Sequence, residues 1–196
     1  AQEHLCKHIH LPVQSGSDRL LKEMNRHYTV AQYMDLVDYA REKIPGVTFS
    51  SDIIVGFPGE TEEDFEETLS LVKAAGFSSA FTFIYSPRPG TPAAKMPNDT
   101  PHEVIQERFD RLADQVARQA HDANQADLGT LSTVLVEGTS KRDDSVLVGH
   151  SEKNQTVHFC LPVGLSATDL IGKIVDVRVR EAKTWYLRGE VEGDPR

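Results

Sequence analysis

The chain has 196 residues, 39% hydrophobic and 26% charged, a globular composition long enough for one large domain or two small ones. It has no run of eighteen apolar residues and no basic-then-apolar leader, so no membrane span or secretory signal is indicated and a cytoplasmic protein is expected. The formal charge of −9 is uneven: residues 1–127 carry 12 Lys and Arg against 20 Asp and Glu, residues 128–196 carry 9 against 10, so RNA binding by the second part depends on cations clustering within about 8–10 Å.

In chain order, KHIHLPVQ (7–14) alternates as a strand and ends in the turn SGSD, and DRLLKEMNR (18–26) offers Leu20, Leu21 and Met24 as one short helical face. TVAQYMDLVDYAREKIPG (29–46) opens with the capping box Thr29-x-x-Gln32 and sets Tyr33, Leu36, Val37, Ala40 and Ile44 at helical spacing before Pro45-Gly46 stops it. VTFSSDIIVGF (47–57) is a strand apolar enough at its end for a parallel sheet covered on both faces. TEEDFEETLSLVKAAG (61–76) reads as a helix capped by Thr61, with acids in its first turn, Phe65, Leu69 and Val72 inward and Gly76 past its end. FSSAFTFIYS (77–86) is the next strand.

Strand and helix alternating over about three βα units predict an α/β partial (β/α) barrel. Three strands are too few to close one, so residues 1–127 are expected to be the C-terminal part of a larger barrel. A long connector helix from Pro101 to about Asp127 starts at the capping box Thr100-x-x-Glu103 and shows Val104, Phe109, Leu112 and Val116. From residue 128 to 196 the pattern changes to five short alternating strands, TLSTVLVEG, SVLVGH, TVHFCL, KIVDVRVREA and TWYLRGEV, expected to be antiparallel and to form a small OB-like barrel. Cys6 and Cys160 stand far apart without a CxxC, so no disulfide scaffold or self-contained metal site is expected, and both are read as buried free thiols.

Ligands of parallel β/α folds sit at the C-terminal strand ends, which brings VQSGS, GFPGE and YSPRPGTP together. Gly56 and Gly59 allow backbone to approach a ligand there, and the following helix N-terminus favours its polar or anionic parts. HIHLPVQSGSDRLLKEMNRHYT, SDIIVGFPGETEEDF and FIYSPRPGTPAA together resemble the second half of a radical S-adenosylmethionine barrel, in particular the tRNA methylthiotransferases that make 2-methylthio derivatives of N6-modified adenosine. The resemblance continues through the connector into a C-terminal segment similar to a TRAM RNA-binding domain.

The resemblance implies that Gln14, Ser15, Arg26 and Asp52 contact S-adenosylmethionine, with the segment holding Gly56 and Gly59 along its adenine. It implies two [4Fe–4S] clusters in the full-length enzyme, whose cysteines this chain lacks. The chain alone is therefore expected to hold neither metal nor catalytic residue and to be inactive. The substrate implied is N6-isopentenyladenosine at position 37 of the tRNA anticodon stem-loop. Asp52, inside an apolar run, invites a functional reading on its own, because a buried carboxylate costs several kcal/mol unless paired.

In the last segment Lys141, Arg142, Lys153, Arg180, Lys183 and Arg188 lie near loops, with Trp185 and Tyr186 available for stacking, a composition suited to RNA backbone and splayed bases. Alternation should bury either Trp185 or Tyr186. Competing readings are a methylthiotransferase acting on an aspartate of a ribosomal protein, disfavoured by PVQSGSD, and a non-catalytic TRAM RNA-binding protein. An amidohydrolase-type metal barrel using His8 and His10 lacks later ligands, so these histidines are read as inward-facing barrel residues. The edge of an incomplete sheet is expected to promote self-association.

Overall fold

The computed structural model describes residues 5–162 and 164–196. The described chain divides into two compact units: one spans residues 9–119, and the other spans residues 120–196 together with residues 5–8.

The first unit is built on a three-stranded sheet of β1 (His8–His10), β2 (Thr48–Val55) and β3 (Ser79–Ile84), in the order β1-β2-β3. β2 and β3 run parallel, with Asp52 opposite Phe81 and Ile54 opposite Phe83. β1 is shorter than its alternating sequence suggests: beyond His10 the chain stays beside β2 through Leu11 N to Ser50 O at 2.8 Å and Val13 N to Ser51 Oγ at 3.0 Å, and it forms a ladder bridge again at Gln14–Ile53. Helices α1 (Asp18–Glu23), α2 (Val30–Lys43), α3 (Glu62–Ala75) and α4 (His102–Gln125) follow the strands.

The Thr29–Gln32 capping box closes α2, and Thr61 with Asp64 closes α3, each satisfying amides that a helix start leaves unpaired. Gly76 ends α3 in the left-handed conformation, φ 58°. The buried stripe of α2 is Tyr33, Val37 and Ala40, and that of α3 includes Phe65, Leu71 and Val72. Leu36, expected inside, is half exposed because it falls beside the i, i+4, i+7 stripe, and Val104 of α4 turns outward while Ile105 takes the inner position.

Helices α2, α3 and α4 pack on the face of β2 formed by Phe49, Ile53 and Val55. The expectation of a sheet covered on both sides is not met. Asp52 and Ile54 point away from that core, and their β3 neighbours Phe81 and Phe83 are 60% and 49% exposed. Where β1 turns into α1, Gly16 lies so close to α3 that a Cβ would stand 2.5 Å from Thr68 Cα, and its N–H donates to Thr68 Oγ1 at 2.9 Å.

The second unit is a closed barrel of β4 (Leu131–Ser140), β5 (Asp143–Ser151), β6 (Thr156–Cys160), β7 (Ile174–Ala182) and β8 (Leu187–Glu192), with α5 (Ala167–Leu170) between β6 and β7. The order around the barrel is β4-β5-β6-β8-β7. Four of its pairings are antiparallel, but β6 and β8 pair in parallel, which corrects the all-antiparallel expectation: closing a Greek key of five strands puts the third beside the fifth, both leaving the same end.

Val134, Leu147, Val157, Phe159, Val177 and Leu187 fill the interior. Gly149 and Gly189 stand where neighbouring backbone crosses so closely that a Cβ would meet Leu135 O at 2.1 Å or Arg178 O at 2.2 Å. β8 starts at Leu187, so Trp185 and Tyr186 belong to the preceding loop rather than to a strand. Both cysteines are exposed, contrary to expectation: Cys160 ends β6 on the outer side of the alternation that buries Phe159.

Candidate functional site

Beyond the end of β1, Gln14 adopts φ 72°, and its backbone is locked into β2, donating to Asp52 O and accepting from Ile54 N, both at 2.9 Å. The buried Ser15 hydroxyl accepts from Ser17 N at 3.1 Å and lies 3.3 Å from Thr68 Oγ1, so it holds the turn against α3. Asp52 is not a buried carboxylate, which removes the desolvation argument for it. Strand alternation turns it to the open face of the sheet, 3.6 Å from His10 Nε2. His10 in turn places Nδ1 2.8 Å from Ser50 Oγ and meets Phe81 edge-on at 6.3 Å.

Arg26 is exposed on the turn after α1, fixed through its N–H to Leu21 O at 2.8 Å, and its guanidinium has no hydrogen bond or ion pair among the described residues. The backbone of Gln14 thus pairs with β2 at Asp52 and Ile54, but the side chains do not converge: the Ser15 hydroxyl turns to α3 and the Asp52 carboxylate to the open face of the sheet.

The Gly56-Phe57-Pro58-Gly59 loop after β2 is satisfied from within. Gly56 (φ 71°) donates its N–H to Glu60 Oε2 at 2.8 Å, its carbonyl accepts from Asn98 at 3.2 Å, and a Cβ there would strike Ile105 Cγ2 at 2.7 Å. Gly59 (φ 78°) faces open space, so only its backbone conformation calls for glycine. Glu60 is buried against Arg108, whose Nη1 lies 3.0 Å from Glu60 Oε2 and 3.2 Å from Glu60 O, and Arg108 Nε reaches Glu62 Oε2 at 3.0 Å. Burial, only partly offset by the Gly56 amide and Arg108, pushes the Glu60 carboxyl above its usual range.

Asp64 responds oppositely. Burial works against its charge, yet hydrogen bonds from Arg19, Ser17 and Thr61 outweigh it and hold the carboxyl well below the usual carboxylate range. The first turn of α3 is therefore occupied by its own acids, each met by Arg19, Arg108 or Arg111 or by solvent. Sequence reading missed Glu60, Asp64, Arg19 and Arg108. The Thr61-x-x-Asp64 spacing signals a capping box, but no local signal joins Arg108 to a residue 48 positions earlier.

In the barrel unit, Lys141 and Arg142 form the exposed tip of the β4–β5 hairpin. The other predicted cations already face acids. Lys153 Nζ is 2.6 Å from Asp127 Oδ1, Lys183 Nζ is 2.5 Å from Glu181 Oε1, Arg188 Nη1 is 3.9 Å from Glu181 Oε2, and Arg180 Nε is 3.0 Å from Glu190 Oε2. Trp185 is 57% exposed and Tyr186 half-buried, packed edge-on against His158 with Arg188 over its ring. Among the described residues no group of three or more His, Cys, Asp or Glu is placed to hold a metal ion, and no helix is long and apolar enough to cross a membrane.

The radical SAM superfamily model matches residues 1–72, and the TRAM domain model matches residues 125–191. The chain is 52% identical over 190 residues to the tRNA-2-methylthio-N(6)-dimethylallyladenosine synthase of Clostridium beijerinckii, covering 97% of this chain and 41% of that protein. The synthases of the same name from Oceanobacillus iheyensis and Alkaliphilus oremlandii are 51% and 48% identical, over 95% and 96% of this chain and 35% and 39% of theirs. A solved structure of coproporphyrinogen III oxidase from Escherichia coli, a radical SAM enzyme, aligns with a TM-score of 0.48 at 15% identity, covering 88% of this chain and 41% of its own. The chain spans about two fifths of the length of the curated relatives it matches. The chain thus carries a segment matching the radical SAM superfamily ahead of one matching the TRAM domain, and about half of its positions are identical to those of these synthases.

Proposed function

We propose that the chain is the part of a tRNA methylthiotransferase that carries a portion of the cofactor site and the RNA-binding module. The reaction is conversion of N6-isopentenyladenosine at position 37 of the anticodon stem-loop to its 2-methylthio derivative, in the cytoplasm. The observation that carries this reading is the identity of about 50% running through both units to synthases named for that product. The three strands are read as βα units of an incomplete radical SAM barrel, and self-association through the edges of their sheet belongs to the same proposal.

The strand-end residues suit S-adenosylmethionine. Arg26 offers a guanidinium with no internal partner to a carboxylate, and Asp52 offers acceptors to ribose hydroxyls from the open face of the sheet. Gln14 and Ser15 shape the turn beside them, and Gly59 leaves open space in the neighbouring loop, whereas the space beside Gly56 is filled by Ile105. Two cysteines are too few even for the three that the resemblance implies for each cluster, so the two [4Fe–4S] clusters are assigned to the full-length enzyme.

The test is anaerobic incubation of a protein of the relatives' full length, containing this segment, with S-adenosylmethionine and tRNA bearing N6-isopentenyladenosine, followed by mass spectrometry of the nucleosides. The 2-methylthio nucleoside is expected, and Asp52→Ala should weaken cofactor binding while tRNA binding persists. Methylthiolation of a ribosomal-protein aspartate in place of tRNA would overturn the substrate assignment.

A further inference from the structure

In a five-stranded Greek-key barrel, oligonucleotides lie across the second and third strands and between the loops that follow the first and fourth. In this barrel that surface is β5, β6, the Lys141–Arg142 tip and the loop Lys183–Tyr186. Alternation along β6 buries Val157 and Phe159 and turns His158 outward, in register with Val148 on one side and Arg188 on the other. The His158 and Tyr186 rings meet at 5.1 Å and 75°, the Arg188 guanidinium carbon lies 5.7 Å from the Tyr186 centroid, and the adjacent Trp185 indole is 57% exposed. We propose that His158, Trp185 and Tyr186 form a stacking platform for unpaired RNA bases, so that the barrel holds single-stranded RNA through base faces more than through phosphates. This rests on the tRNA-binding reading of the barrel and extends it by naming the part of the RNA that is held.

Two independent features of the same surface support the assignment. The first is preorganisation. Asn124, near the end of α4 and 8% exposed, donates from Nδ2 to Lys183 O at 2.8 Å and Thr184 O at 3.1 Å, and Gln125 donates to Ala182 O at 2.9 Å. Lys183 N bonds Tyr186 O at 2.9 Å to close the loop. Three consecutive carbonyls are thereby pinned, which fixes the backbone that presents Trp185 and Tyr186 and reduces the ordering cost of binding.

The second feature is electrostatic. Lys183 and Arg188 share Glu181, and Lys153 faces Asp127, so a phosphate reaching them competes with carboxylates already in place. The His158 ring itself favours its neutral form: burial first, and Arg188 second, press its pKa below the ordinary value, so the cationic contribution at the platform comes from Arg188 over Tyr186. Base–aromatic contacts of this kind are insensitive to sequence and contribute substantially per base.

Trp185 is the chain's single tryptophan, so its fluorescence reads the platform directly. The 196-residue chain is titrated with an anticodon-arm RNA hairpin, with a single-stranded oligoribonucleotide of the loop sequence, and with the blunt duplex stem. Affinity is measured by anisotropy of labelled RNA and stacking by Trp185 quenching. Saturable quenching by the hairpin and the single strand, but not the duplex, is expected. Tyr186→Ala and His158→Ala should each weaken binding about 5- to 100-fold, Tyr186→Phe should retain it, and circular dichroism establishes that each variant is folded. The log–log salt slope should stay below about two phosphates' worth, roughly 1.4 for a single strand. If RNA binds with no quenching, or with unchanged affinity in folded Tyr186→Ala, the platform is wrong while the tRNA-binding reading stands. If no RNA binds to the wild-type chain at all, both are wrong.

Discussion

The Arg108–Glu60 pair offers the sharpest test of how the first unit holds its glycine loop. Arg108 is 4% exposed and Glu60 5%, and one Glu60 oxygen serves both Arg108 and the Gly56 amide. Arg108→Met fills much of the same space but leaves a buried carboxylate without its cation, a loss of about 3–5 kcal/mol for a broken buried pair. For a unit of this size that corresponds to a fall in melting temperature of roughly 12–24 °C in the helical circular dichroism signal.

Glu60→Gln keeps an acceptor for the Gly56 N–H while removing the charge, so the double variant Glu60→Gln/Arg108→Met should recover more than half of the loss. The pH dependence has a defined sign. Burial already raises the Glu60 pKa, and without Arg108 it rises further, so the folded state binds more protons than the unfolded state above pH ~4.3. The stability of Arg108→Met should therefore fall as pH rises from about 4 and approach wild type below it. A loss under about 1 kcal/mol, or a double variant as unstable as the single one, would refute the claim that the uncompensated Glu60 charge is the source of the effect.

The Asp64 carboxyl works in the opposite sense. Its pKa is depressed in the fold, so its contribution is present above pH ~4 and lost as pH falls below it, and an acid titration followed by circular dichroism should be shallower in Asp64→Asn than in wild type. The two loop glycines should separate under substitution. Gly59→Ala costs on the order of 1 kcal/mol for its left-handed backbone alone, whereas Gly56→Ala adds a collision with Ile105, part of which Ile105→Ala should relieve in denaturant unfolding.

The sequence by itself determined whatever is set within a few residues. The capping box at Thr29, the cap at Thr61, the stop at Gly76, the long α4 to within about two residues at each end and the change from βα units to short alternating strands are all local signals, and the structure contains each. The resemblance was legible for the same reason, since it is carried by contiguous motifs such as SDIIVGFPGETEEDF. Direction and partnership were decided only by tertiary structure. Alternation says that Asp52 and Ile53 face opposite ways, but only the helices packed on Phe49, Ile53 and Val55 decide which way is open. Composition supplied cations to the barrel, yet it took the fold to set Lys183 and Arg188 against Glu181 and to bring His158, nearly thirty residues earlier, against Tyr186. Contacts across such separations depend on how the strands close the barrel, and no local propensity encodes that closure.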